Sequence, residues 1–209
     1  MKRIKIASAL VAMIVNLAMA PILPAHAEAA YDTKYDKVVQ TYEMMLPAMQ
    51  KQTDSNLVYR QLHLGLLYHQ ISSGDILYMY SAPGTYVPVE ALTKLYTEGN
   101  LNGYCYKIVT GQPLTSVDLA PVFDAAYYYQ QNPDLHGAVP NDEVSLFAHF
   151  LNNGLKEGRV ASKEFNPSIY KTNYPSIKEA YGDNWPMYYH HYLTYGKEGS
   201  FIADKLLTN

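Results

Sequence analysis

The sequence predicts a mainly α-helical fold, in which an N-terminal helical region is followed by two stacked units built from short helices. Three observations carry this prediction. The C-terminal half repeats itself at a spacing of 42 residues, helix caps and breakers recur at matching places in both copies, and apolar residues fall at the 3-and-4 spacing of a helix face. Nearly half of the 209 residues are apolar and only 17% are charged, so the chain has enough to bury and too little charge to stay unfolded.

The first 27 residues have the pattern of a secretory signal. Lys2, Arg3 and Lys5 precede an uncharged, mostly apolar stretch from Ile6 to Ala20, and Ala25-His26-Ala27 fits an Ala-x-Ala cleavage site. A cut after Ala20 would leave Pro21 next to it, so cleavage between Ala27 and Glu28 is expected. The rival reading is an uncleaved anchor, but an apolar run of about 15 residues falls short of the roughly 20 that span a bilayer. A secreted or cell-envelope-associated bacterial protein, with no membrane span after cleavage, is the expectation. Removing residues 1–27 takes three cations and no acid, which carries the formal charge from −3 to −6. That balance offers no basic footprint for nucleic acid. A single cysteine, Cys105, leaves no intrachain disulfide, so packing must hold the fold.

Residues 28–110 read as an N-terminal helical region. Val38, Val39, Tyr42, Met45 and Leu46 suggest a helix that Pro47 bends or ends. The strongest helix runs from about Asn56 to Ile71, capped by Thr53-Asp54-Ser55, with Leu57, Leu64, Leu67, Tyr68 and Ile71 near one face and Ser72-Ser73-Gly74 stopping it. Residues 75–87 fit either a strand and turn at Pro83-Gly84 or a short helix and loop. Pro88 to Glu98 reads as a helix, with Pro near its start and Gly99 after its end. Tyr104 to Val109, between Asn102-Gly103 and Gly111, is the best strand candidate; paired with residues 76–80 it would make a small two-stranded sheet. Thr110 to Pro121 is the expected junction.

The two repeat units span residues 121–162 and 163–203. Phe123-Asp124-Ala125-Ala126-Tyr127-Tyr128 pairs with Phe165-Asn166-Pro167-Ser168-Ile169-Tyr170, and the register continues through His149-Phe150-Leu151 with His191-Tyr192-Leu193 and Gly154 with Gly196. Leu155 has no counterpart, after which Lys156-Glu157-Gly158 matches Lys197-Glu198-Gly199. Asp124 and Asn166 sit where an N-cap accepts backbone hydrogen bonds, and Pro167 suits the first helical position. Asn132-Pro133 and Tyr174-Pro175 break these first helices, because the residue before proline is pushed out of the α region. Asn141-Asp142 opens the next helix, with Val144, Leu146, Phe147, Phe150 and Leu151 on its apolar face, and Gly154 is expected to close it in the left-handed conformation. Units this small cannot bury their own faces, so the copies should stack.

The motifs Phe-Asp-x-x-Tyr-Tyr, Asn-Pro-Asp, His-Phe or His-Tyr, Gly and Lys-Glu-Gly-Arg resemble a tandem repeat of about 40 residues found in secreted and surface proteins of Gram-positive and other bacteria. The resemblance covers residues 121–201. It is intact in the first copy, at Asn132-Pro133-Asp134 and Glu157-Gly158-Arg159, whereas the second has Tyr174-Pro175-Ser176 and Glu198-Gly199-Ser200. It implies a module that serves attachment or interaction at the cell envelope.

Candidate chemistry is sparse. Glu157 with Glu198, and His149 with His191, occupy equivalent repeat positions, which the fold explains more simply than catalysis, since catalytic groups converge from different elements. His190-His191 are adjacent, and His63 and His69 lie on different faces of a helix, so neither pair has the i, i+4 spacing of helical metal ligands. No metal, cofactor or catalytic residue is assigned. Cys105 in the apolar run Tyr104-Cys105-Tyr106 reads as buried, with an intermolecular link or a nucleophile as alternatives. The remaining signal is 21 tyrosines against one tryptophan and five phenylalanines. Tyrosine suits sugar stacking and wet interfaces as well as half-buried packing. Successive helical side chains point about 100° apart, so in Tyr127-Tyr128-Tyr129 at least one ring must meet solvent. Trp185, whose repeat partner is not aromatic, is the first choice for a ligand-binding residue, with Tyr127, Tyr129 and Tyr188 beside it. The expected function is non-enzymatic binding, the partner being cell-wall glycan, exopolysaccharide or an extracellular protein. A small wall hydrolase with its site in residues 28–110 and a structural spacer are the alternatives.

Overall fold

The computed structural model describes residues 54–81 and 87–208. The expected signal segment, the helix around Val38 to Leu46 and the Pro83-Gly84 turn lie outside these residues. The N-terminal region consists of α1 (Ser55–Leu67), α2 (Ser73–Ser81), α3 (Val89–Thr97) and α4 (Gly103–Thr110). The first unit holds α5 (Ala125–Gln131), α6 (Glu143–His149) and α7 (Leu155–Glu157), and the second α8 (Pro167–Asn173), α9 (Pro175–Tyr181) and α10 (Trp185–His191). The fold is mainly helical, as expected, and one hydrophobic core runs from Val58 to Ala203.

Asp54 starts α1 by accepting hydrogen bonds from the amides of Asn56 and Leu57, at 2.9 and 3.3 Å. Of the face expected to be buried only Ile71, beyond the helix end, is in the core. Val58, Leu62 and Gly65 are buried, while Leu57, Leu64, Leu67 and Tyr68 are exposed. The helix carries two apolar stripes, and the core takes the one with Gly65, where an added Cβ would lie 2.8 Å from the Ile71 side chain. Close approach of the chain following α1 outweighs the larger apolar area of the other stripe. Ser72-Ser73-Gly74, expected to stop α1, instead starts α2. The Ser72 hydroxyl accepts from the Asp75 amide at 3.2 Å, and the Asp75 carboxylate accepts from the Ser72 amide at 2.7 Å, a reciprocal capping box.

The expected two-stranded sheet is absent. Among the described residues the only β pairing is an isolated bridge between His136 and Val139. Residues 103–110 form α4 because the flanking residues act as caps and not as hairpin turns. Asn102 accepts from the Cys105 amide at 2.8 Å, and Gly111 ends the helix with φ 68°. Helix α2 packs against α4 where strand pairing was expected. The junction after α4 is itself anchored. Ser116–Leu119 forms a 3-10 turn, and its buried Asp118 accepts from Lys107 at 2.7 Å and from the Thr115 amide at 2.7 Å. Burial alone would raise the Asp118 pKa, but these hydrogen bonds from Lys107 and Thr115 hold it below the usual carboxylate value.

Equivalent positions of the two units make equivalent bonds. Asp124 caps α5 through the Tyr127 amide at 2.7 Å, and Asn166 caps α8 through the Ser168 and Ile169 amides at 3.0 and 3.2 Å. Backbone bonds from Asp124 N to Ala161 O, at 2.7 Å, and from Asn166 N to Ala203 O, at 2.9 Å, close each unit on itself. One expectation fails within the unit. Gly154 has φ −55° and does not end the helix, which runs on through a π-helical turn at Phe150–Gly154 into α7 and stops at Gly158, φ 67°. Val144, placed on the apolar face of α6, is 79% exposed, whereas Leu146 and Phe150 are buried.

The units join where α7 packs on α10. Tyr189 lies edge-on to Phe150 and tilted against Phe165, at centroid distances of 5.6 and 5.1 Å, and its hydroxyl donates to Arg159 O at 2.6 Å. The N-terminal region docks on the second unit, with α2 and α4 against the π-helical turn Tyr192–Gly196.

Candidate functional site

Three of the histidines weighed for chemistry, His149, His190 and His191, are each joined to a tyrosine. Tyr128 on α5 and His149 at the end of α6 meet hydroxyl to Nδ1 at 3.0 Å, and Tyr170 on α8 and His191 at the end of α10 meet in the same way at 2.8 Å. The glycines of the π-helical turns make room for these pairs. An added Cβ would lie 2.5 Å from the Tyr128 hydroxyl at Gly154 and 2.6 Å from the Tyr170 hydroxyl at Gly196. The repeat's Tyr, His and Gly positions are therefore one packing unit, which explains why they recur together. A third pair, Tyr104 on α4 with His190 Nδ1 at 3.0 Å, spans the seam between the N-terminal region and the second unit.

The electrostatics follow from burial. It pushes the Tyr128 hydroxyl up to about 12, so that it stays protonated. His190 keeps part of its surface open, yet enclosure of its imidazole still lowers the pKa to about 4. His191 is 5% exposed and falls to about 3, through burial first and then repulsion from His190. Imidazoles so placed are neutral at ordinary pH and poorly matched to proton transfer, which works best with a pKa near the operating pH.

The acids that recur between units act differently. Glu157 pairs with Arg159, which also reaches Asp134 at 2.8 Å and Asn132 Oδ1 at 3.3 Å. The Asn-Pro-Asp and Glu-Gly-Arg motifs are thus two halves of one clamp. Its replacement in the second unit uses Tyr174, whose hydroxyl accepts from the Ile202 amide at 2.7 Å, and Asn173, which donates to Ile202 O at 3.0 Å and Lys205 O at 2.8 Å. Glu198 points to the seam, accepting from the Ser73 amide at 3.0 Å and from Asn102 Nδ2 at 3.4 Å. Asn102 also donates to Leu193 O at 3.1 Å.

Of the four nominated ligand-binding residues, the structure brings Trp185 and Tyr188 together, with centroids 5.6 Å apart, and buries Tyr188, whose hydroxyl donates to Gly182 O at 2.7 Å. Trp185 is half-buried between the units. A Cβ on Gly158 would lie 2.6 Å from its indole, and Lys171 Nζ sits 4.6 Å from the ring centroid while pairing with Asp183 at 2.7 Å. Tyr127 and Tyr129 are half-buried on α5, away from that cluster. Tyr129 lies 4.4 Å from the exposed ring of His136, and the His136 Nε2 is 3.0 Å from Tyr129 O. His136 thereby joins the open aromatic surface. Asn102, Tyr104 and His190 were also missed. Asn102 before a glycine carried a local capping signal, but the Tyr104 contact links residues 86 apart and had none.

Cys105 is fully buried, and burial pushes its thiol well above the usual value, followed by the charge of Glu198. Among the described residues no three His, Cys, Asp or Glu side chains gather as metal ligands, and no helix is long and apolar enough to cross a membrane. Comparison of the chain with protein-family models, with characterised proteins and with solved structures gives no match.

Proposed function

We propose that this chain is a secreted, non-enzymatic binding or interaction protein of the cell envelope or extracellular polysaccharide. The observation that carries the reading is the engagement of His149, His190 and His191 with tyrosine hydroxyls, which assigns the recurrent polar residues of both units to the scaffold. The partly open aromatics then supply the contact surface. Tyr129 with His136 offers a rigid, apolar face with polar edges, the kind of surface on which a sugar ring stacks, and Tyr127 stands beside it on the same helix. The signal-like N-terminus and the resemblance of the two units to repeats of bacterial surface proteins agree with such a role.

Pull-down of the mature protein with isolated cell walls tests it. Retention of the wild type, with loss on Tyr129→Ala at a temperature where the variant is still folded by circular dichroism, is expected. Equal recovery of wild type and variant in the wall fraction, or none of either, contradicts the glycan assignment. Clearing of peptidoglycan in a zymogram contradicts the non-enzymatic one.

A further inference from the structure

The two units carry the same Tyr–His pair, and the N-terminal region docks on the second, where Tyr195 lies between His191 and Gly74 of α2. His149 is half-buried, whereas His191 is buried and its neighbour His190 is tied to Tyr104 of α4. The same seam holds the other polar ties between α2, α4 and the second unit: Ser73 and Asn102 on Glu198, and Asn102 on Leu193 O. Gly74 and Gly103 admit close contact there and across α4. A Cβ on Gly74 would lie 2.7 Å from Thr194 O, and one on Gly103 would lie 2.6 Å from the Asp118 carboxylate. The seam therefore closes by near approach of backbone and has little room to rearrange around a new charge.

We propose that this seam is an acid-opened joint, in which protonation of His190 and His191 releases α2 and α4 from the second unit while the first unit keeps its structure. The titratable groups that the packed elements bring to it are Tyr104 and Cys105 from α4, Asp75 from α2, Tyr170 from α8, Tyr181 from α9, Tyr195 from the π-helical turn and Glu198 beyond it. None of the hydrogen bonds to His190 or His191 comes from a carboxylate; each histidine faces a hydroxyl. A new imidazolium would therefore be enclosed without a counter-charge bonded to it, and opening to water relieves that state. The sign is definite. Both folded pKa values lie below the unfolded value of 6.5, so the open state binds more protons and opening grows as pH falls below about 6.5. Asp75 works the other way, because burial raises its carboxyl and acid favours its enclosed form. One raised carboxyl thus opposes two lowered imidazoles.

Hydrogen exchange on the full chain at pH 7 and pH 5, with intrinsic rates corrected, tests the joint. With unfolded pKa 6.5, each histidine multiplies the opening equilibrium by about 20 between these values, so the pair gives at most a few hundred-fold, with Asp75 acting against it. Peptides from α2, α4 and α10 should lose that protection, while α5 and α6 keep theirs. His190→Gln, which retains polar groups but does not titrate, should remove about 20-fold of the loss. Protection retained at pH 5 throughout, or lost equally in both units, overturns the proposal, and the wild-type pattern decides this even if the variant does not fold.

Discussion

Replacing Gly154 by alanine separates two explanations of the repeat's glycine, because they predict opposite signs. Gly154 has right-handed helical φ, −55°, and is buried within a helix that continues past it. If only local propensity mattered, alanine would stabilise the protein by about 1 kcal/mol. The structure adds a larger opposing effect. The new methyl would lie 2.5 Å from the Tyr128 hydroxyl and 2.8 Å from Phe150 Cδ2, well inside contact distance. Forcing Tyr128 aside strains a packed core by about 1–3 kcal/mol. Disturbing its bond to His149 adds about 1 kcal/mol. With the propensity gain subtracted, Gly154→Ala should destabilise by about 1–3 kcal/mol. Urea or thermal unfolding measures this; for a chain of this size each kcal/mol moves the Tm by about 2–4 °C. The cause is checked with Tyr128→Phe, which removes the hydroxyl that clashes. In that background Gly154→Ala should cost about 1 kcal/mol less than in the wild type, a coupling expected only for residues in contact. A Gly154→Ala protein as stable as the wild type, or more stable, would refute the reasoning.

Three further outcomes follow from the same contacts. Ser200 is an exposed residue at φ 57°, where a side chain is strained, so Ser200→Gly should raise stability by roughly 0.5–1 kcal/mol in thermal unfolding, and a loss would contradict it. Trp185→Ala should lower stability by about 3 kcal/mol, because the indole fills the seat against Gly158 between the units; an unchanged melting curve would show instead that the ring is a free surface group. Cys105 should react with a thiol reagent at pH 8 only after denaturant is added, given its full burial and raised pKa, and rapid stoichiometric labelling of the folded protein would contradict that placement.

What the sequence made legible was chemistry that acts within a few residues. Asp124, Asn166 and Asp142 cap the helices they precede, Asn132-Pro133 and Tyr174-Pro175 end the helices they were expected to break, and Pro88 and Gly99 bracket α3. The failures arose where one residue type serves two local geometries and only distant packing decides. Asn102-Gly103 and Gly111 are as good at turning a hairpin as at capping a helix, and the docking of α4 on α2 selects the helix. Gly154 was expected to end its helix, but a glycine four residues on, Gly158, can do so equally well. The Tyr128 hydroxyl reserves the first for close approach, leaving the left-handed turn to the second. On α1 the glycine that marks the buried face counts for nothing in an apolar pattern. The candidate site was legible only as residue types. Trp185 and Tyr188 do come together, but with Tyr188 enclosed, and the open pair of Tyr129 with His136 required the 3-10 turn at Pro133–Leu135 to bring the chain back.

The central claim is that the tyrosine-bonded histidines serve the scaffold, with His190 and His191 held neutral by burial against tyrosine hydroxyls. Titration of the imidazole resonances by NMR tests it most directly. In the closed protein His190 and His191 should remain neutral from pH 7 down to pH 5, consistent with pKa values lowered to about 4 and about 3. A folded protein in which either imidazole titrates at or above the ordinary value of about 6.5 would contradict it.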